Sequence, residues 1–208
     1  MTYRQLVLFL APLAVIPFAY EVGAQFLNGG MARVPKAVET LAAYGLALGI
    51  FSFLSTPLHQ CSQLGLVLTN DHHSRRKNQL FLFILWAAVS TILLIIAATP
   101  VGVWLVEDIH DVRPNLGKEA RFAILCLIPL SALDTYLRYF VGLLLRHRQT
   151  TSVSAATLAK IGASIVAVIA LLPANAVQSR PILLPVLVAY CGYIVEAVVI
   201  FWAYFSRV

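Results

Sequence analysis

The chain has 208 residues, 60% of them hydrophobic and 12% charged, where soluble domains carry about a quarter of charged residues, and its mean hydropathy is +0.85. A soluble fold of this size has no means of hiding that much apolar surface, and the apolar residues arrive in blocks near or beyond the length of about 20 that crosses a hydrocarbon core. The net charge of +6 resides mostly in short loops between those blocks, where membrane topology accounts for it and no nucleic-acid partner is needed.

The reading is therefore all-α, a single polytopic membrane domain over residues 1–208 with six spans at about 5–27, 40–66, 79–105, 121–145, 152–172 and 182–205. The opening "MTYRQLVLFLAPLAVIPFAY" has the look of a signal peptide, but no small-x-small cleavage site follows, so a retained first helix is expected. Within this first span, "FAYEVGAQFLNGG" places Glu21, Gln25 and Asn28 at helical spacing, a polar stripe on an otherwise apolar helix. Prolines fall inside several spans (Pro12, Pro17, Pro57, Pro129 and Pro185), and each frees a carbonyl that lipid cannot satisfy, so kinks are expected. Gly45 and Gly49 in the second span, and Ala155, Ala159, Ala163 and Ala167 in the fifth, read as small-residue packing seams.

The loop after the second span, "NDHHSRRKN", holds Asp71, His72 and His73, which read as solvated rather than metal-binding. His59 and Cys61 are two apart and point away from one another on a helix, so they make no site either. Cys61, Cys126 and Cys191 form neither CxxC pairs nor a disulfide framework. No metal and no cofactor is expected, and the absence of a nucleophile elbow or a P-loop argues against an enzyme. Arg75, Arg76, Lys77, Arg146 and Arg148 fall on the same side as Arg4 and Arg207, in compact basic runs. On the other side Arg33, Lys36, Arg113, Lys118, Arg121 and Arg180 mix with Glu107, Asp108, Asp111 and Glu119. That difference places both termini in the cytoplasm, and a short chain without sorting signals points to a plasma membrane.

The fourth span carries an unexpected pair. In "LSALDTYLRYFVGLLLRHR", Asp134 and Arg138 stand one helical turn apart with the acid N-terminal, the favourable order. Glu21 in the first span, Lys160 in the fifth and Glu196 in the sixth complete a set of five ionisable residues at membrane depth, each costing about 2.5–3.5 kcal/mol on insertion scales. Either Asp134, Arg138 and Lys160 line a polar cavity for an anionic or ion-coupled substrate, or Asp134 and Arg138 are a structural ion pair and Lys160 snorkels to the headgroups. Glu196 has no partner nearby in sequence, so it needs one from another helix.

The segment "QFLNGGMARVPKAVETLAAYGLALGIFSFLSTPLHQCSQLGLVLTN" resembles the progressive ankylosis protein family, within the superfamily of multidrug, polysaccharide and lipid exporters. The likeness rests on Glu21, Gln25 and Asn28, on "AAYGLA" (Ala42 to Ala47), on Pro57 and on "GLVLTN" (Gly65 to Asn70). Asp134, "GLLLRHR" (Gly142 to Arg148) and "RPILLPVL" before and within the sixth span add to it. The resemblance implies a lobe of a twelve-helix exporter built from two six-helix lobes, with a cavity between them opening to alternate sides. It also implies export of pyrophosphate, nucleotide triphosphate or citrate, small anions that suit Arg138 and Lys160.

This chain has the length of the N-terminal lobe alone, and one lobe has nothing to rock against. The expected partners are therefore membrane lipid, a small anionic substrate and a second lobe, from a parallel homodimer or another chain. Arg138, Lys160, Gln25 and Asn28 are the expected substrate-binding residues, with Glu21, Asp134 and Glu196 carrying the coupling ion. Two other readings remain: an assembly subunit or remnant lobe that transports nothing, and a flippase for a lipid-linked precursor.

Overall fold

A backbone that crosses hydrocarbon must satisfy its own N–H and C=O groups, which a helix does within one segment. The computed structural model describes residues 3–68 and 72–207, with side chains from 17 to 68 and from 74 to 206, and the described residues form helices and connecting turns without a strand. Six long helices follow one another: α1 (Tyr3–Met31), α2 (Ala37–His59), α3 (His72–Ala98), α4 (Pro114–Arg146), α5 (Thr150–Leu171) and α6 (Leu183–Arg207). Five stretches, one running from α2 on to Leu68 and one in each of α3 to α6, are long and apolar enough to cross a membrane, and α1 runs for 29 residues. This is an all-helical, multi-pass membrane protein.

Helix α4 is the hub. It packs against α2, α3 and α6, while α5 and α6 form the most extensive pair and α1 leans on α5. Helices α1 and α2, though consecutive, make little contact with one another. The apolar interior is divided. One cluster gathers Ala47, Leu58, Leu93, Ile124, Val168 and Leu184, and a second gathers Leu137, Leu144, Ala156, Ile200 and Ala203.

The hydrophobic blocks are interrupted where proline dictates. The block read as 79–105 is broken at Thr99, which is extended, because Pro100 lacks the N–H to continue α3; a short helix, Pro100–Val103, and a π-helical turn, Trp104–Asp108, follow. Helix α2 ends two residues after Pro57, and the chain continues as Cys61–Gln63 and a π-helical turn, Leu64–Leu68. In α4, Pro129 removes the amide that would bond the Leu125 carbonyl, and the adjoining Cys126 carbonyl accepts a hydrogen bond of 2.7 Å from the Tyr190 hydroxyl of α6. Hydroxyls also tie α3 to α4: the Trp86 indole donates to Ser131 Oγ at 3.1 Å, and Ser90 lies 3.4 Å from the same atom.

Close backbone approach depends on two glycines that face each other. A Cβ on Gly65 would strike the Tyr139 carbonyl of α4, and one on Gly142 would strike the Ser62 carbonyl, so neither position has room for a side chain. The Gly45–Gly49 ridge behaves differently, since among the described residues open space lies beside both. Of the alanines on α5, Ala167 is buried, Ala159 and Ala163 are half-buried and Ala155 is exposed. Replacing Gly142 or Gly65 with valine is expected to destabilise the fold by about 1–3 kcal/mol, read as a lower thermal midpoint in detergent. Gly162→Ala, where nothing lies near the added methyl, is the control expected to leave the midpoint unchanged or slightly raised.

Candidate functional site

The ionisable residues of α4, α5 and α6 meet where the two apolar clusters part. On α4, the Arg138 Nε donates to Asp134 Oδ1 at 3.0 Å, as the spacing of one turn allows. Between α5 and α6, the Lys160 Nζ donates to Glu196 Oε2 at 2.8 Å. Asp134, Lys160 and Glu196 are 4%, 9% and 3% exposed. Two carboxylates and two cations thus form a quartet with no net formal charge, and each pair meets the demand that a charge removed from water be compensated.

The two pairs are electrostatically one group. Arg138 interacts with Glu196 as well as with Asp134, and Lys160 interacts with both members of the α4 pair. Aromatic rings bind the group together. The Lys160 ammonium sits 3.3 Å from the centroid of the Tyr193 ring, one turn from Glu196 on α6. The Tyr20 hydroxyl of α1 lies within hydrogen-bonding reach of Arg138. Gly192 makes the α5–α6 approach possible, because a Cβ there would press on Ser164 Oγ at 2.5 Å and Lys160 Cγ at 3.2 Å.

His59, at the C-terminus of α2, brings its Nε2 to 3.6 Å from Asp134 Oδ2, so Asp134 stands between an imidazole and a guanidinium. The Arg138 and His59 side chains keep 24% and 52% of their surface, and Tyr20 is 38% exposed. The site is therefore buried on the side of α5 and α6 and keeps its exposure at Arg138, His59 and Tyr20, on the side of α1 and α2.

Helix α1 is seated by Gly23 and Gly30, which lie against Ile161 and Val168 of α5. At about 100° per residue, Glu21 and Asn28 lie past Tyr20 on the side away from that seam, with Gln25 a little further round. All three are exposed, and among the described residues no ion pair engages Glu21. Of the seven residues singled out from the sequence, Asp134, Arg138, Lys160 and Glu196 converge, while Glu21, Gln25 and Asn28 form a separate polar stripe beside Tyr20.

Lys160 does not snorkel, being committed to Glu196. Sequence reasoning set His59 aside because it compared His59 with Cys61; the residue it faces is 75 positions away on α4, and no local spacing could disclose that. Tyr193 was findable, since it shares a helical face with Glu196. The side chains of Asp71, His72 and His73 lie outside the described residues.

A second polar concentration lies at the end of the bundle where α2 and α4 begin. A cavity of about 420 Å³ is bordered there by Lys36, Glu39, Lys118, Glu119 and Arg180. Arg180 is already taken by Glu119 at 3.3 Å and stacks on the Phe122 ring, 3.3 Å from its centroid, and nearby Arg121 pairs with Glu107 at 3.1 Å. These contacts brace the loops onto α4.

No solved structure matches the chain. A family model described as progressive ankylosis protein (ANKH) matches residues 1–208, the whole length given. The chain belongs to the progressive ankylosis protein family.

Proposed function

We propose that the protein transports a small anion, such as pyrophosphate, a nucleotide or a carboxylate, across the plasma membrane by alternating access, rather than catalysing a reaction. The observation that carries this reading is the charge-balanced quartet at membrane depth, open to a gap between helices at Arg138. A helix under structural demand alone could place leucine at both Asp134 and Arg138 and avoid desolvating them. Arg138 uses one N–H on Asp134, and a guanidinium has five in a planar fork, suited to phosphate or carboxylate oxygens. In this reading Arg138 and Lys160 attract the anion, Gln25 and Asn28 offer amide hydrogen bonds from the flank of α1, and Glu21, Asp134 and Glu196 carry coupling protons.

Alternating access needs a second lobe, which a second copy in parallel C2 arrangement supplies, with both termini at the cytoplasmic face. The exposed Glu21 stripe supports this, since a carboxylate exposed at membrane depth has to meet water or another protein rather than acyl chains. Native mass spectrometry from detergent or nanodiscs is expected to give a dimer; a strictly monomeric, well-folded protein would refute the homodimer.

One feature favours the assembly-subunit reading: both carboxylates of the quartet are already matched by bases within the chain. Arg138→Leu and the Asp134→Leu/Arg138→Leu double variant separate the two. The single variant leaves Asp134 with His59 alone, 3.6 Å away and charged only when protonated, and is expected to lose about 3–5 kcal/mol of stability, which the double variant regains. If the pair serves transport, the stable double variant in proteoliposomes loses efflux of pyrophosphate, ATP and citrate by at least about tenfold, as loss of an anion's charge-assisted contacts implies. Unchanged efflux would remove Arg138 from the transport site.

A further inference from the structure

We infer that Glu196 and Lys160 form a proton-linked latch, so that the anion and one proton are bound together at a single site; this rests on the anion-transport reading above. The quartet as it stands has no net formal charge, with the Lys160 ammonium closed onto Glu196 Oε2 at 2.8 Å in a site where both residues are buried. An anion entering past Arg138 competes with that carboxylate for the Lys160 ammonium, and taking its place displaces it. The displaced Glu196 would then be a buried, unpaired anion beside a second anion, which is the arrangement low dielectric penalises most. Taking up a proton removes that obstacle, leaving a neutral carboxylic acid able to donate a hydrogen bond.

The surrounding groups favour this division. Glu196 is influenced by Lys160 of α5, by Tyr193 on its own helix, by Arg138 of α4 and by Tyr20 of α1, and Asp134 of α4 acts on the same four residues. Asp134 has two basic neighbours, Arg138 at 3.0 Å and His59 at 3.6 Å, and so keeps a partner when the anion draws on one of them. Glu196 has Lys160 alone within ion-pair distance among the described residues. When Glu196 lets go, the Tyr193 ring beneath the ammonium, 3.3 Å from Nζ to its centroid, keeps Lys160 in place. The proton is transferred from solvent to a Glu196 carboxylate oxygen, and the Lys160–Glu196 hydrogen bond is replaced by one from Lys160 to the anion. The proton thus travels with the anion, not against it.

Isothermal calorimetry on the full chain in nanodiscs tests this. Pyrophosphate and citrate are titrated between about pH 5.5 and 8 in two buffers of different ionisation enthalpy, and the heats are corrected for each probe's own protonation. The wild-type protein is expected to take up about one proton per anion, with affinity falling about tenfold per pH unit where the bound-state carboxyl is protonated and the free one is not. Glu196→Gln, whose amide oxygen still accepts from Lys160, is expected to bind the same anions with that uptake and slope abolished. Wild-type binding without proton uptake overturns the latch even if Glu196→Gln fails to fold, and leaves anion transport standing. Equal proton uptake by a folded Glu196→Gln variant overturns Glu196 as the proton site with the same consequence. Failure of both probes to bind the wild type at every pH overturns the anion reading and the latch with it.

Discussion

Four charges have been drawn into a bundle whose surroundings cannot solvate them, and the architecture follows from how they are neutralised. Asp134 and Arg138 come from one helix, while Lys160 and Glu196 come from two. The polar group interrupts what would otherwise be one apolar interior, leaving an apolar cluster on either side of it. The close α5–α6 pairing, the absence of a side chain at Gly192 and the placement of Tyr193 all serve to bring an ammonium and a carboxylate into contact across a helix interface. Without that contact each residue would be an isolated buried charge, the costliest feature a membrane helix can carry.

Local periodicity disclosed what lies on one helix and nothing more. The apolar blocks, the Asp134–Arg138 turn and the Glu21 stripe could be read directly, because each depends on spacings of about 3.6 residues or on length. The Lys160–Glu196 pair could not, since its partners are 36 positions apart and meet only through the packing of α5 on α6. The same holds for His59 and Asp134. Hydropathy alone runs past Thr99, since Val101, Val103 and Trp104 are apolar; Pro100 was the sign that α3 had to end. The Gly65 and Gly142 motifs marked a resemblance before they had a structural meaning, which is that two backbones touch there.

The asymmetry of exposure gives the molecule its direction. Toward α5 and α6 the quartet is closed by Tyr193 and by the packed helix pair; toward α1 and α2 it is open at Arg138, Tyr20 and His59. Helix α1 presents its amide and carboxylate side chains beside Tyr20, and the Gly45–Gly49 ridge of α2 borders open space among the described residues. Polar side chains and small residues on consecutive helices that scarcely touch make poor company for acyl chains. They are well suited to water or to another protein surface.

The two cations of the quartet differ in a way that matches their places. Arg138 stays charged under all ordinary conditions and spreads its donors over a rigid plane, so it can hold Asp134 with one edge while offering others to the open gap. Lys160 is a compact point charge on a flexible stem, lying in the sealed half of the site on an aromatic face. An ammonium of that kind can pivot between a carboxylate and an incoming anion without the realignment that a bidentate fork demands. Exchanging the two residues would leave the quartet's formal charge unchanged, yet under the proposed transport mechanism it would put the rigid fork where movement is needed and the mobile ammonium where a fixed docking plane is needed. On the anion-transport reading proposed above, the order of the two bases across α4 and α5 is itself a functional feature of the site.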